Sequence, residues 1–295
     1  MNKLTVVLVN YNSKDYLESC LDSLYHETKV PGYQVVVVDN ASEDRDFSPL
    51  EKKYPQLHFL LNCNNLGFAT AVNQGVRRHP AQFYLLLNPD SRILNGAVDK
   101  TLKFLTLRPE VAVVGCRVNN PDGSLQLACR RSIPRPSIAL YRLLKLSFLF
   151  PTSERFSRYN LSFMDSTQPH EVEAVSGSFL MFRNQLLEDI GYLDENFFLY
   201  GEDLDFCYRA LLKGWKIFYY PKAQIVHYKY RSATSNVGRS TFHYYKAMEI
   251  FYRKHFYRQA GPLQNLLVFS AIRFLYFSNR LRKIFRKTGE IGSDF

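Results

Sequence analysis

Phe83-Tyr84-Leu85-Leu86-Leu87-Asn88-Pro89-Asp90-Ser91 decides how the rest of the chain is read. Five consecutive apolar or aromatic residues, without the alternation of a half-exposed strand, predict a strand covered on both faces, as in the interior of a parallel sheet. The strand must stop where Pro89 follows Asn88, because proline cannot donate to a central ladder. Asp90 then lies at the carboxyl edge of the sheet, where open α/β sheets place their ligands, and a carboxylate there is a candidate for holding a metal.

Working outward, the same pattern repeats. Leu4 to Val9 and Tyr33 to Val38 are β-branched apolar runs, and Leu17, Leu21 and Leu24 between them keep helical spacing, which makes a βαβ unit. A short strand is expected over Leu57 to Leu61, a helix over Phe68 to Val76, a helix on Val98, Leu102 and Leu105, and a strand at Val111 to Val114. The irregular stretch from Asn119 to Pro169 reads as long loops over the sheet edge. Regular structure resumes with a strand at Phe179 to Phe182 and a short helix at Leu186 to Ile190. A helix over Leu204, Tyr208, Leu211 and Leu212, stopped by Gly214, is followed by strands at Ile217 to Tyr220 and Ile225 to Val226. The order predicts an α/β fold: a doubly wound, mostly parallel sheet flanked by helices and joined by right-handed crossovers.

Polar groups gather at the predicted carboxyl ends: Asn10, Tyr11 and Asn12 after the first strand, Asp39, Asn40 and Ser42 after the second, Asn88 and Asp90 after the fourth. One such group is most simply a helix cap, but three clusters on one edge make a pocket. Asp39 can accept hydrogen bonds from a ring N–H or a ribose hydroxyl. The run Asn64 to Gly75, which includes Asn65, Gly67 and Asn73, combines a permissive turn with a small-residue helix start suited to close backbone approach. Neither G-x-G-x-x-G nor G-x-x-x-x-G-K-[ST] is present, which argues against a dinucleotide dehydrogenase or a P-loop enzyme. Without a glycine cradle, a divalent cation on Asp90 is the natural way to neutralise a diphosphate.

The succession VVLVNYNS, VVVVDNAS, NLGFATAVNQG, LLLNPD, AVSGSFLMFR and FFLYGEDLDFCYRALLKGWKIFYYPKAQIVH, spanning about Leu4 to His227, resembles the family 2 glycosyltransferases of the GT-A fold, particularly bacterial rhamnosyltransferase-like members. The resemblance implies inverting transfer of a sugar from a nucleotide diphosphate donor with Mg²⁺ or Mn²⁺ as cofactor. It implies that Asp39 contacts the base, that Asp90 is the surviving carboxylate of the D-x-D motif, that His227 completes the metal site, and that Asp203 is the catalytic base. Asn88 stands where many relatives carry an aspartate, which removes one anionic ligand. The Asn-Pro-Asp form resembles the rhamnose and galactofuranose branches, so dTDP-rhamnose is the expected donor, with UDP-galactofuranose or another UDP-hexose as the alternative. The inverting displacement that the resemblance implies needs one group to take the acceptor's proton, and Asp203 at a helix start suits it, with Glu202 orienting the acceptor or the loop. Gly177 and Arg131 join Asn10, Tyr11, Asn12, Asp39, Asn40, Asn65, Gly67, Asn73 and Asn88 as expected donor-binding residues. Arg130 and Arg135 are further candidates for gripping a phosphate.

Of the formal charge of +11 over 295 residues, +10 falls in the last 68, where 13 Lys/Arg face 3 Asp/Glu. Residues 1–230 are therefore expected to form the nucleotide-sugar-binding and catalytic domain, and 231–295 a basic aromatic helical extension. Leu266, Leu267, Phe269, Ile272, Phe274, Leu275 and Phe277 are interrupted by Arg273 and fall short of the ~18 uncharged residues of a span. With Arg280, Arg282, Lys283, Arg286 and Lys287 they suit a helix lying on an anionic leaflet, the setting expected for a saccharide or polyprenyl-linked acceptor. Packing on the protein, or a homodimer contact, is the alternative for this tail. A basic tail also raises a non-catalytic membrane- or nucleic-acid-binding protein as a second function class; the ordered strand-end acids favour the enzyme, with no nucleic-acid partner. A sugar-phosphate nucleotidylyltransferase is a third reading, weakened by the absence of a glycine-rich basic first loop. Five scattered cysteines without C-x-x-C suggest neither a disulfide framework nor zinc. The Leu4 to Val9 run is too short for a signal peptide's apolar core, and the expected location is cytoplasmic, peripheral on the inner face of the plasma membrane.

Overall fold

The structure, a computed structural model, describes residues 2–229 and 237–291, with the side chains of 143, 237–238 and 282–291 left out. The expected boundary at 230/231, and the side chains of Arg282, Lys283, Arg286 and Lys287, lie outside the described parts. In chain order the elements are β1 (Asn2–Asn10), α1 (Lys14–Glu27), β2 (Tyr33–Asp39), α2 (Ser48–Lys53), β3 (Leu57–Leu61), α3 (Phe68–Arg78), β4 (Ala81–Leu87), β5 (Ser91–Leu94), α4 (Ala97–Thr106) and β6 (Val111–Asn119). Then come β7 (Arg130–Arg131), α5 (Pro136–Leu143), α6 (Leu146–Leu149), β8 (His170–Glu171), β9 (Ala174–Val175), β10 (Phe179–Arg183), α7 (Gln185–Ile190), α8 (Glu202–Leu212), β11 (Lys216–His227), α9 (Val237–His255) and α10 (Pro262–Ile291).

The main sheet runs β3-β2-β1-β4-β10-β6-β11-β5, with β8 on β11. β3, β2, β1 and β4 are mutually parallel, β10 enters antiparallel between β4 and β6, and β11 returns parallel to β6. β4 sits between β1 and β10, which is why Phe83 to Leu87 carry apolar side chains on both faces: all five are buried. Truncating Leu86 to alanine in such a place costs about 2–5 kcal/mol. On α1 the buried residues Leu17, Cys20, Leu21 and Leu24 form one stripe against the sheet.

Three departures from the sequence reading matter for the site. The chain forms a strand at once after Asp90: β5 pairs antiparallel with β11, and Ser91 lies opposite His227. The two strands expected at Ile217 to Tyr220 and Ile225 to Val226 are one strand with a register shift between Tyr220 and Gln224, where Pro221 interrupts the ladder with β6. Residues 119–169 are not only loops; they hold β7, α5 and α6, and β7 pairs with β9 to bring Arg130 and Arg131 over the sheet edge.

Candidate functional site

The strand ends of β1 and β2 form a network of hydrogen bonds. Asp39 is fully buried; Oδ1 accepts from Asn10 Nδ2 at 2.9 Å and Ser42 Oγ at 2.5 Å, and Oδ2 accepts from Ser42 N at 3.1 Å and Arg45 Nε at 3.3 Å. Asn10 is held in turn by Ser13 Oγ at 2.9 Å. Asn12, whose φ is +52°, donates its backbone N–H to Ser42 Oγ and accepts from Glu43 N. Asn40 donates to Asn65 Oδ1 and the Gly67 carbonyl and accepts from Leu66 N. Asp39 and Asn40 thus organise the floor, while Tyr11, Asn12 and Asn65, only partly buried, make its accessible lip. A ring N–H reaches Asp39 only by displacing one of its present donors.

Gly67 joins this floor to the other half of the site. At φ +86° a Cβ would lie 2.7 Å from the Phe198 carbonyl, and Phe68 N donates to that same carbonyl at 2.7 Å. Asn73 corrects an expectation. It is fully buried on α3, its Nδ2 donates to Leu193 O and Glu195 Oε1, and its Oδ1 accepts from Leu193 N. With both ends of the amide engaged there, it fastens the 193–195 loop and has no group left for a donor.

The edge at Asp90 is built by β5. Pairing with β11 brings His227 Nε2 within 3.1 Å of Asp90 Oδ1 and 3.2 Å of Asn88 Nδ2, and Tyr228 N donates to the Asp90 carbonyl. On the far side of the ring, Nδ1 is 3.0 Å from Gln126 Oε1, while Gln126 Nε2 donates to the His227 carbonyl at 2.7 Å. The amide orientation therefore places a proton on Nδ1, so that the neutral tautomer turns its Nε2 lone pair toward Asp90 and Asn88. An oxygen and a nitrogen that both offer lone pairs at 3.1 Å suit a shared cation, since cis ligands at about 2.1 Å lie about 3 Å apart. Among the described residues no group of three His, Cys, Asp or Glu could hold a metal, so a cation on Asp90 and His227 would need its remaining ligands from outside the protein. Sequence reading missed Gln126. Its signal was the Pro121-Asp122-Gly123 turn, which folds the chain back so that Gln126 N bonds the Val118 carbonyl.

At the start of α8, preceded by left-handed Tyr200 and Gly201, Asp203 Oδ2 accepts from Arg131 Nη2 at 2.5 Å and Gly177 N at 3.0 Å, and Oδ1 accepts from Leu204 N at 2.7 Å. Arg131 also donates to the Val175 carbonyl, and although burial opposes its charge, Asp203 drives its pKa up. Nη2 of Arg131, an expected donor-binding residue, is thus engaged by the protein itself, while its buried Nε has no hydrogen-bond partner. Beside it, Glu202 Oε2 is buried without a partner, and burial, then the charge of Asp203, push the carboxyl up to about 8, leaving it neutral at pH 7. A Cβ on Gly177 would face Asp203 and Glu202 at ordinary contact distances, so this turn borders both acids.

Two hydrogen bonds connect the two centres: Asn88 N donates to the Ser178 carbonyl at 3.1 Å, and the adjoining Gly177 N to Asp203. Of the other arginines, Arg130 bonds the Met164 and Asp165 carbonyls, and Arg135 pairs with Glu173 at the rim of a separate 500 Å³ groove shared with Arg155 and Arg158. Asp205 is fully buried and binds Arg209 on its own helix and Lys254 and His255 from α9; despite burial these partners hold its carboxyl down at about 2. No helix among the described residues is long and apolar enough to cross a membrane.

A family model described as glycosyltransferase like family 2 matches residues 2–245. Among relatives, an N-acetylglucosaminyl-diphospho-decaprenol L-rhamnosyltransferase of Mycobacterium tuberculosis is 27% identical over 84% of this chain and 83% of its own. The rhamnosyltransferase WbbL of Escherichia coli is 23% identical over 86% and 96%. Among solved structures, the mannosyltransferase PcManGT of Pyrobaculum calidifontis, in complex with GDP-Man and Mn²⁺, superposes with a TM-score of 0.58 at 18% identity, covering 92% of this chain and 68% of that one. S. aureus TarS 1-349 gives 0.55 at 19% identity over 84% and 64%. These structures share the expected GT-A fold.

Proposed function

The chain belongs to the family 2 glycosyltransferases, and from that premise we propose that it transfers rhamnose with inversion from dTDP-rhamnose to a sugar carried on a polyprenyl diphosphate. The observation that carries the reading is the pair of hydrogen bonds through Gly177 and Ser178, which puts the Asp90–His227 edge and the Asp203 carboxylate on either side of one turn. The donor and acceptor named here rest on the relatives, whose names specify rhamnosyl transfer and, in one case, an N-acetylglucosaminyl-diphospho-decaprenol substrate.

In this reading Asp90 and His227 would hold Mg²⁺ or Mn²⁺, which supplies positive charge to the departing diphosphate when bound. Gln126 keeps His227 in the ligating tautomer, and Asn88 contributes a neutral donor at the same edge. The lip of Tyr11, Asn12 and Asn65 over the Asp39–Asn40 floor receives the nucleoside. Asp203 takes the acceptor hydroxyl's proton as that oxygen attacks the anomeric carbon from the face opposite the leaving group. Arg131, Gly177 N and Leu204 N hold the Asp203 carboxylate in place, while neutral Glu202 adds no second charge beside it. The basic tail and the exposed Leu263, Leu266, Leu267, Phe274 and Phe277 of α10 are the surface that would rest on the inner leaflet.

A panel of nucleotide sugars, assayed by release of nucleoside diphosphate with and without Mg²⁺ or Mn²⁺, tests this. Turnover of dTDP-rhamnose only with metal is the expected result. Turnover of UDP-hexoses alone moves the donor to the alternative branch, and absence of turnover with every donor and metal removes the reading.

A further inference from the structure

We propose that a second cavity, lined by Tyr200, Ser240, Thr241, Tyr244 and Asn279, binds the sugar ring of the acceptor, so that the C-terminal helices form one wall of the acceptor site. This inference rests on the transferase reading above and adds to it a location. The cavity measures about 200 Å³, room for one pyranose. None of its five lining residues is charged. That excludes the diphosphate of either substrate and contrasts with the arginine-lined groove at Arg135. Tyrosine rings together with hydroxyl and amide groups offer what a neutral sugar needs, an apolar surface for its C–H side and donors and acceptors for its hydroxyls.

Its place in the fold argues the same way. Tyr200 stands three residues before Asp203, on the loop that leads into α8. It holds a left-handed conformation, φ +71°, which is costly for an aromatic residue and persists only where the surroundings enforce it. The enforcing contacts come from α9: Tyr200 OH lies 2.9 Å from Ser240 Oγ, its ring meets Tyr244 edge-on at 5.9 Å, and the neighbouring Phe198 stacks on His243 at 4.4 Å. Next to Tyr200, Gly201 packs on Ala247 of the same helix. From α10, Asn279, another lining residue, donates to the hydroxyl of Tyr245 at 3.3 Å, which ties α10 to α9 beside the cavity. A ring held here would lie against the loop that leads into α8 and Asp203, and away from the Asp90–His227 pair.

The test uses the full chain and octyl glycosides of N-acetylglucosamine, galactose, rhamnose and mannose, observed by saturation-transfer NMR, with dTDP and UDP titrations run on every sample. Ser240→Trp fills the cavity, and Tyr244→Phe with Asn279→Ala removes polar groups while sparing the packing. The expected result is binding of at least one glycoside to the wild type, weakened about 10-fold or more by Ser240→Trp and by the Tyr244→Phe/Asn279→Ala pair, with nucleoside diphosphate affinity unchanged. Equal glycoside binding in wild type and variants, or no glycoside binding to a wild type that binds nucleoside diphosphate, overturns the cavity assignment and leaves the transferase reading standing. A wild type that binds neither nucleoside diphosphate nor glycoside removes both.

Discussion

The two halves of the site are built from different materials. On the donor side, Asn10, Asn12, Ser13, Asp39, Asn40, Ser42 and Asn65 form a network of amides and hydroxyls around one carboxylate, between strands joined by a short crossover. On the other side, six acidic and basic groups crowd the start of α8: Asp203 on Arg131, Glu202 neutral beside them, and Asp205 on Lys254 and His255. A network of amides and hydroxyls is fixed in shape by directed hydrogen bonds. A buried charged one depends on every partner staying in place, because removing one member strands the other's charge. The donor half is accordingly suited to recognising a constant nucleotide. The acceptor half is suited to chemistry, and it is held by elements far away in the chain.

The sharpest break of this contrast is Asp203→Asn. Losing the base should lower transfer by about 10²- to 10⁴-fold while leaving nucleoside diphosphate affinity intact, as read by single-turnover assay and titration. Full activity would take Asp203 out of the role and dissolve the chemical side of the comparison. Next, Asp205→Asn leaves Arg209, Lys254 and His255 around a neutral group and should cost about 3–5 kcal/mol, seen in denaturant unfolding. Because the Asp205 carboxyl is held at about 2, its stabilisation is present above the ordinary carboxylate pKa of 3.8 and should be lost as pH falls from there toward 2. Gln126→Leu frees the His227 tautomer and should weaken metal affinity about 10- to 100-fold, measured by Mn²⁺ titration in the presence of dTDP; an unchanged affinity would mean that the ring needs no orienting partner.

The smallest effect sharpens the charge argument. Glu202 has a folded pKa of about 8 against an ordinary 4.5, so between those values folding takes up a proton, and stability falls as pH rises through that window. Glu202→Gln should flatten the dependence of Tm on pH between about 5 and 8 and melt a few degrees above the wild type at pH 8. A wild-type slope that survives the substitution assigns it to another group.

The C-terminal extension belongs to this contrast as well. The sequence presented it as a basic tail added to a catalytic body. In the structure α9 packs its aromatic face, through Phe251, His255 and Phe256, against Tyr208 of α8, and Ala247 lies against Gly201. Its anchoring pair, Lys254 and His255, reaches the buried Asp205, a residue that in sequence looked like one more acid at a helix start. The packing alternative for the tail therefore accounts for α9, while α10 keeps an exposed row of Leu263, Leu266, Leu267, Phe274 and Phe277.

By itself the sequence determined the sheet, the strand ends and the acids. Doubly covered strands such as Phe83 to Leu87 have to be continuous and apolar, a proline has to end them, and turn chemistry has to follow; each requirement acts within a few residues and so is written locally. Only the tertiary structure decided which partner each acid received. Asp203 meets an arginine 72 residues away, Asp205 a histidine 50 residues away, and His227 a glutamine 101 residues away. Asn73, which by its position looked like a ligand contact, was turned to a loop 120 residues on. Hydrophobic periodicity records which side of an element is buried, but a charge or an amide acts on whatever lies within a few ångströms in space, and β5 alone, by pairing with β11, moved Asp90 from a strand end to a place beside His227.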